Sequence, residues 1–425
     1  MERYSEYKDS GVKWLGEIPS HWDMRKMKFT FEERREKGFP NLPLLAATQN
    51  HGVIRKQDYE NRTVEATKAL ETLKLVEKGD FVISLRSFQG GIELSHERGI
   101  ISPAYTVLRP SHISSAYFKH LGKSPVFIQL LKSMVTGIRE GQNIDYGKLR
   151  ENLIPIPSLG EQNAIAKYLD SVTAKIDEAI AQQQKMIDLL NERKQIIINK
   201  AVTKGLDSNV KMKPSGIDWI GEIPEHWKIR RLKFCAKTNS GSTPRSIAGK
   251  ENNDSIIRWV RTTDINNDIV YDTSEYLSSK EMQSASCPLL PPKTVLISMY
   301  GGMGSFGKIG LLNMEATINQ ALCSINCNST ILPEYMFYYL QSIHSVWMKY
   351  AESSRKDPNL NQQTIKNIFI VIPSFEEQQS IANYVKSKIH NLKIAIDNCN
   401  KQISLLQERK QIIINDIVTG KVKVV

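Results

Sequence analysis

Three glycines and a lysine, Gly302-x-Gly304-x-x-Gly307-Lys308, are the residues of this 425-residue chain whose spacing comes nearest to a chemical site. Glycines so spaced let backbone N–H groups close on a phosphate, the basis of dinucleotide and P-loop binding. The surroundings redirect that reading. A dinucleotide fingerprint needs a helix opening at its last glycine and an acidic residue about 20 positions further on. Here Lys308-Ile309-Gly310-Leu311-Leu312 reads as a strand, and Cys323 stands where the acid belongs. A P-loop needs Ser or Thr after its lysine to hold Mg²⁺, and Ile309 is there instead. The stretch is expected to be a tight glycine turn joining two strands, with Lys308 offered to a phosphate. A nucleotide-binding enzyme is the less favoured alternative. No catalytic set replaces it: His21 and His226 recur inside Pro-x-His-Trp blocks, where packing is the simpler role, and no acid/base pair or nucleophile elbow has its motif context.

Other residues have the chemistry of groove reading. Arg86, Ser87 and Gln89, in Arg-Ser-Phe-Gln-Gly-Gly after a strand-like run, form a loose analogue of the glycine turn. Arginine suits guanine edges and glutamine suits adenine edges. Arg139, Gln142 and Asn143 in the first half, and Arg355, Lys356, Asn361 and Gln362 in the second, offer guanidinium and amide donors on loops at corresponding places. Arg25, Lys26 and Lys28, with Arg230, Arg231 and Lys233, alternate with apolar residues. They read as a charged strand face, with phosphate contact the sharper possibility.

An internal repeat sets the elements that must position these groups. SGVKWLGEIPSHWDMRKMKF (10–29) matches SGIDWIGEIPEHWKIRRLKF (215–234) at twelve of twenty positions. IPSLGEQNAIAKYL (156–169) matches IPSFEEQQSIANYV (372–385), and ERKQIIIN recurs at 192–199 and 408–415. The offset grows from 205 to 216, so eleven extra residues lie in the second copy between the shared blocks, where the sequences diverge. Each copy is a shared opening, a divergent middle and a shared close. The close is a long helix: Ser158 with Glu161 and Ser374 with Glu377 have capping-box spacing. Leu169, Val172, Ile176, Ala179, Met186, Leu190 and Ile197, and then Val385, Leu392, Ala395, Leu406 and Ile413, form a coiled-coil-like seam, with Gln183, Arg193 and Lys388 as polar interruptions. An antiparallel pairing of the two helices would give a pseudo-two-fold repeat. The middles look α+β: strands are expected over Phe81–Leu85 and Thr294–Tyr300, and helices over Tyr117–Leu131 and Leu332–Trp347. The expected divisions are 1–157, 158–204, 205–373 and 374–425: a domain, a central helix, a second domain and a C-terminal helix.

Bulk properties narrow the class. No apolar run reaches the roughly 18–20 residues of a membrane span, and Met1–Ser10 is polar, so a cytoplasmic protein is expected. Five cysteines, all in the second half, give neither a disulfide framework nor, for Cys323 and Cys327, a partner pair for zinc, and buried thiols are the expectation. The net charge of +12 is spread along the chain without a basic tail, which permits an anionic partner.

The duplicated W-[LI]-G-E-I-P-x-H-W opening, the I-P-x-x-x-E-Q-x-x-I-A helix start and E-R-K-Q-I-I-I-N resemble the specificity subunits of type I restriction–modification systems over essentially the whole chain. Gly241-Ser242-Thr243-Pro244 before Arg245, Trp259-Val260-Arg261-Thr262-Thr263-Asp264, and Ile297-Ser298-Met299-Tyr300-Gly301 resemble blocks of that family's target-recognition domains. The first copy lacks the Gly-Ser-Thr-Pro block. The resemblance implies a non-catalytic chain in which each divergent domain reads half of a split double-stranded DNA site, with Arg245, Arg261 and Tyr300 among the contacts and the helices setting the gap. It also implies two adenine-methyltransferase subunits carrying S-adenosylmethionine, and restriction/translocase subunits using ATP and Mg²⁺. A stand-alone tandem DNA-binding regulator is the other alternative.

Overall fold

The computed structural model describes residues 2–49, 51–59, 69–136, 143–244, 255–300, 304–352 and 359–424. The chain divides into two compact units, Met1–Gln184 with Asn400–Val425, and Lys185–Cys399. Two long helices belong partly to each: a central helix, Leu159–Lys204, and a C-terminal helix, Phe375–Val418. Both begin as the capping boxes require. The Ser158 hydroxyl accepts the Glu161 N–H at 3.3 Å, and the Ser374 hydroxyl accepts the Glu377 N–H at 3.2 Å.

In unit 1, Ile165 and Leu169 of the central helix share a core with Ile414, Ile417 and Val418 of the C-terminal helix. In unit 2, Ile198, Ala201 and Val202 share one with Ile381, Ala382, Val385 and Ile389. The helices therefore run antiparallel, as expected, and in unit 1 the Lys410 ammonium meets the Asp177 carboxylate at 2.6 Å. The seam differs by one residue at alternate positions. Met186 is 49 % exposed and Ile187 is buried in its place; Lys388 faces solvent and Ile389 turns inward. The inner steps from Leu169 are thus Thr173, Ile176, Ile187 and Ile198, and the interruption read at Lys388 is absent.

The main sheets of the divergent middles share one strand order, with differences around it. Lys74–Val76 pairs with Gly99–Ile101 in unit 1, Tyr276–Ser278 pairs with Ser255–Val260 in unit 2, and Leu45–Thr48 forms a hairpin with Gly52–Arg55 that is not repeated among the described residues of unit 2. In unit 1 the strands of this shared frame are β1 Phe31–Arg34, β2 Leu45–Thr48, β3 Gly52–Arg55, β4 Phe81–Ile83, β5 Glu93–Leu94, β6 Gly99–Ile101 and β7 Thr106–Pro110. In unit 2 they are β8 Ala236–Ser240, β9 Ser255–Val260, β10 Asp268–Val270, β11 Val295–Ser298, β12 Ile309–Leu312, β13 Thr317–Ile318 and β14 Leu322–Cys327. The main sheet of unit 1 has the order β1-β7-β4-β5, and that of unit 2 the order β8-β14-β11-β12-β10. Every pair in the first four strands of either sheet is antiparallel. The remaining parallel links also correspond. Leu44, just before β2, bridges Ile100 of β6, as β9 pairs with β13; Val53 of β3 bridges Ser95 beyond β5, as β10 pairs with β12.

Alternation of side chains explains why each sheet is covered twice. Phe81, Ile83 and Leu108 face the helices carrying Tyr117, Phe118 and Phe127, while Val82 and Val107 face Leu45, Val53, Val76 and Ile101. In unit 2, Val295, Ile297, Ile309 and Ile325 face Tyr335, Tyr339 and Trp347, while Leu296, Leu312 and Leu322 face Val260, Val270 and Ile318. Both single helices expected on the covering face are broken in two. Ser115–Leu121 is followed by Pro125–Ser133, where Ser124 caps and the proline has no N–H to continue a helix. Pro333–Ser342 is followed by His344–Glu352; Ile343 between them leaves helical geometry, and the Trp347 indole donates to the Leu340 carbonyl at 3.2 Å.

Candidate nucleic-acid interface

The registers gather the predicted groups of unit 2 at one end of its sheet. Ser240 ends β8 opposite Cys323, Ser298 ends β11 opposite Leu322, and Ile309 opens β12 opposite Ile297. Val260 ends β9 beside Ile318, which ends β13. Arg261, Tyr300, Lys308 and the turn Asn319–Ala321 therefore leave the sheet at the same end. The Leu360 N–H donates to the Met299 carbonyl at 2.8 Å, which brings Asn361 and Gln362 there as well.

The glycine stretch is the hairpin turn the sequence implies. β11 and β12 are antiparallel, the Gly307 N–H donates to the Ser298 carbonyl at 3.0 Å, and Gly307 has φ +68°, where a side chain would be strained. A strand, β12, follows it, so the helix of a dinucleotide or P-loop site is absent and the nucleotide-binding alternative loses its basis. Lys308 is half-buried at the mouth of the turn. Tyr300 packs partly on the core, and burial raises its phenol above the ordinary value. Arg261 is braced: its N–H donates to Asp264 at 2.8 Å, and one guanidinium nitrogen lies 3.0 Å from the Ser274 hydroxyl and 3.5 Å from the Glu275 carboxylate. Its Nε is buried with no partner among the described residues. Thr273 and Ser274 hydroxyls also bond Asp264, so the loop is held before any ligand arrives.

Asn361 and Gln362 are partly engaged within the fold. The Asn361 side chain caps the helix Gln362–Asn367 by accepting the Thr364 N–H at 2.8 Å, and the Gln362 amide donates to the Thr238 carbonyl at 2.7 Å. Both help shape the loop; Asn361 caps through its oxygen, which leaves the Nδ2 donors of this exposed side chain out of the cap. Asp145 caps likewise in unit 1, accepting the Lys148 N–H at 3.1 Å, two residues after the exposed Asn143.

In unit 1 the matching end carries Arg86, Ser87 and Gln89 between β4 and β5. The loose glycine turn expected there is instead one turn of helix, Ser87–Gly90. Ser87 is buried, and its hydroxyl accepts the Ser84 N–H at 2.9 Å, so it fixes the turn while Arg86 and Gln89 stay exposed. A cleft of about 1320 Å³ opens beside them.

The basic strand residues are not brought to this end. Arg25 and Lys26 lie on Asp23–Lys26, paired with Leu153–Ile156, and Arg230 and Arg231 on Lys228–Arg231, paired with Phe369–Ile372. These strands, Lys28 and Lys233 all precede the starts of β1 and β8, the ends opposite the turns. Lys26 and Lys28 both reach Glu151, at 3.1 and 2.9 Å, and their hydrogen bonds hold that carboxyl below its usual range. Arg231 bonds Asn367 at 3.3 Å and lies over the Phe369 ring. If they touch phosphate, it is not beside the turns. Arg139, Gln142, Arg245, Arg355 and Lys356 lie outside the described residues, as does Gly302.

Among the described residues there is no group of three or more His, Cys, Asp or Glu placed to hold a metal, and no helix long and apolar enough to cross a membrane. Cys323 and Cys327 sit on β14, their thiols pushed up to about 12 by burial. One test belongs to this site. Replacing Lys308 with Ala should reduce the slope of log K against log salt for duplex binding by roughly 0.9, the signature of one lost phosphate contact. An unchanged slope removes Lys308 from the interface.

Two duplicated α+β units joined to antiparallel helices define a class of fold already known. The chain superposes on a solved chain described as "Structural basis underlying complex assembly and conformational transition of the type I R-M system", with a TM-score of 0.71 at 16% identity, covering 95% of this chain and 99% of that one. The family model "Type I restriction modification DNA specificity domain" matches residues 8–187 and again 224–407, so the chain belongs to that family and carries its domain twice. Similar curated proteins include the putative type I restriction enzyme MjaX specificity subunit of Methanocaldococcus jannaschii, 25% identical over 98% of each chain. Another is the EcoBI specificity subunit of Escherichia coli, 25% identical over 60% of this chain and 54% of that one.

Proposed function

We propose that this chain is the DNA-sequence specificity subunit of a type I restriction–modification complex, each unit reading one half of a bipartite double-stranded site. The observation that carries this is the pairing of sameness and difference. The two units share the order of four main-sheet strands, two parallel links and the helix joints, whereas the turns at one end of the sheets differ in length and residue: Ser84–Ile92 against Met299–Lys308, and Gln49–His51 against Arg261–Asn267. One scaffold presenting two sets of turns is what two unlike half-sites require. Sequence is read by groups reaching base edges, and scaffold contacts carry none of it.

The helices support a second role, the docking of methyltransferase subunits. Leu189 and Ile196 of the central helix are 50 and 58 % exposed; the equivalent Leu405 and Ile412 of the C-terminal helix are 64 and 52 % exposed. Residues seven apart lie on one helix face, and an apolar pair left open there suits a partner helix. The same open pair occurring twice fits two copies of one partner. In this reading the chain itself makes and breaks no bond and works in the cytoplasm. S-adenosylmethionine is held by the methyltransferases, and ATP with Mg²⁺ by restriction/translocase subunits.

The test is co-expression with the methyltransferase, purification of the complex, and sequencing of methylated adenines in the DNA it modifies. Two short specific sequences at a constant gap are expected. Contiguous modification would overturn the bipartite reading, and a chain that binds DNA but never co-purifies with a methyltransferase would be a stand-alone regulator.

A further inference from the structure

Matching the two sheets strand for strand exposes a contact element in unit 1 that its sequence hides. In unit 2 the connection leaving β9 begins with the braced Arg261. In unit 1 the equivalent strand is β2, and its connection to β3 runs through Gln49 and His51. We infer that this turn is a base-reading element of unit 1, with Gln49 and His51 acting together with Arg86 and Gln89 on the same DNA half-site. The inference rests on the proposed specificity function and deepens it.

Four observations converge on the turn. First, the Thr48 side chain ties the two sides of the turn together. The Thr48 hydroxyl donates to the Gly52 carbonyl at 2.9 Å and accepts the His51 N–H at 3.1 Å, while the Gln49 and His51 side chains are exposed. Second, the turn is anchored. The Lys123 ammonium donates to the Gln49 carbonyl at 2.7 Å and to both oxygens of the buried Glu93 at 2.6 and 2.7 Å. Third, it abuts the helical turn that carries the other candidates: a Cβ on Gly90 would lie 2.8 Å from Cγ of Gln49. Fourth, Gln49, His51, Arg86 and Gln89 all border the cleft of about 1320 Å³. An amide, an imidazole and a guanidinium on two adjoining turns, anchored through Thr48, Lys123 and Ser87, can be offered together to neighbouring base edges. Glutamine pairs with the N6 and N7 of adenine, and arginine with the O6 and N7 of guanine.

The experiment uses the full chain in its complex with the methyltransferase subunits. Gln49→Ala, His51→Ala and the double variant are compared with wild type by sequencing methylated adenines, the half-site of unit 1 having been assigned by segment exchange. Discrimination at one or two base pairs of that half-site is expected to fall about ten-fold, while the other half-site and the gap are unchanged. Gly90→Ala keeps both reading residues but displaces the Gln49 side chain, and it should relax the same positions. The second half-site, read by the same molecules, reports whether the complex is intact, and hydrogen exchange across β2 and β3 reports whether unit 1 is folded. An unaltered unit 1 half-site in the folded double variant overturns the inference, and so does equal relaxation of both half-sites. Failure of the wild-type complex to give bipartite methylation would instead sink the specificity reading beneath it.

Discussion

Exchanging residues 30–155 for the corresponding segment of another member of the family will change the half-site read by unit 1 and leave the other half-site as it was. The segment carries β1 to β7, the covering helices and the turns bearing Gln49, His51, Arg86 and Gln89. Its own cores, Phe81 with Phe118 and Val82 with Val107, travel with it. What must be rebuilt is the joint to the helices, and that joint is the same in both units. In unit 1 the Ser114 N–H donates to the Gln162 side chain at 2.8 Å, and the Tyr117 hydroxyl reaches the Pro155 and Val418 carbonyls at 3.5 and 3.3 Å. In unit 2 the Leu332 N–H donates to Gln378 at 2.7 Å, and the Tyr335 hydroxyl reaches the Val371 and Val202 carbonyls at 3.0 and 3.1 Å. A segment offering one backbone N–H and one tyrosine at these places meets the helices it expects. Each mismatched base pair costs about 1–3 kcal/mol, so a half-site of several base pairs should switch preference by three orders of magnitude or more. The readout is the methylated-adenine consensus. A change in both half-sites would show that the units do not read independently.

The sequence displayed the repeated blocks, the helix starts and the hairpin at Gly307, because identity, capping spacing and turn glycines are local signals. It hid the equivalence of the middles. Buried strands need only apolar residues of suitable volume, so Phe81-Val82-Ile83 and Val295-Leu296-Ile297 fill the same positions without resembling each other. The seam slipped by one residue because Met186 and Ile187 are adjacent and both apolar, and only the partner helix decides between them. Gln49 and His51 went unnoticed because a short polar turn looks like any hairpin tip. What marks them is the position of β2 beside β6, which no local pattern records. Asn361 has a role that composition does not show: a cap and a reading amide look alike in sequence, and the Thr364 N–H that its oxygen accepts is a matter of geometry.

The repeated histidine, read as a packing residue, and the tryptophan beside it have a sharper role, and removing their partner should destabilise the protein measurably. Trp22 donates its indole N–H to Glu161 at 3.0 Å, with the Tyr4 hydroxyl at 2.6 Å and the His21 ring at 3.1 Å. Trp227 and His226 bond Glu377 at 3.0 and 2.9 Å. The shared opening is thereby fastened to the first turn of the shared close, which is why these two blocks repeat together. Glu161 is only 9 % exposed, so Glu161→Ala leaves the buried Trp22 indole and the half-buried Tyr4 hydroxyl without an acceptor, at a cost of about 2–3 kcal/mol. Glu377 is 36 % exposed, and solvent screening limits the loss in Glu377→Gln to about 1–2 kcal/mol. Burial would raise the Glu377 carboxyl, but the bonds from Trp227, His226 and Ser374 outweigh it and hold the group at about 2, against 4.5 for the ordinary side chain. Because the folded value is the lower one, its contribution is complete above about 4.5 and is lost as the pH falls through about 2. The gap in stability between wild type and Glu377→Gln, measured by denaturant unfolding, should therefore be full at pH 7 and less than half as large at pH 3. Hydrogen exchange should locate the loosening at residues 222–228 and 372–380 for this variant, and at 17–23 and 156–164 for Glu161→Ala. A gap independent of pH would show that the ionised carboxylate is not what holds the joint.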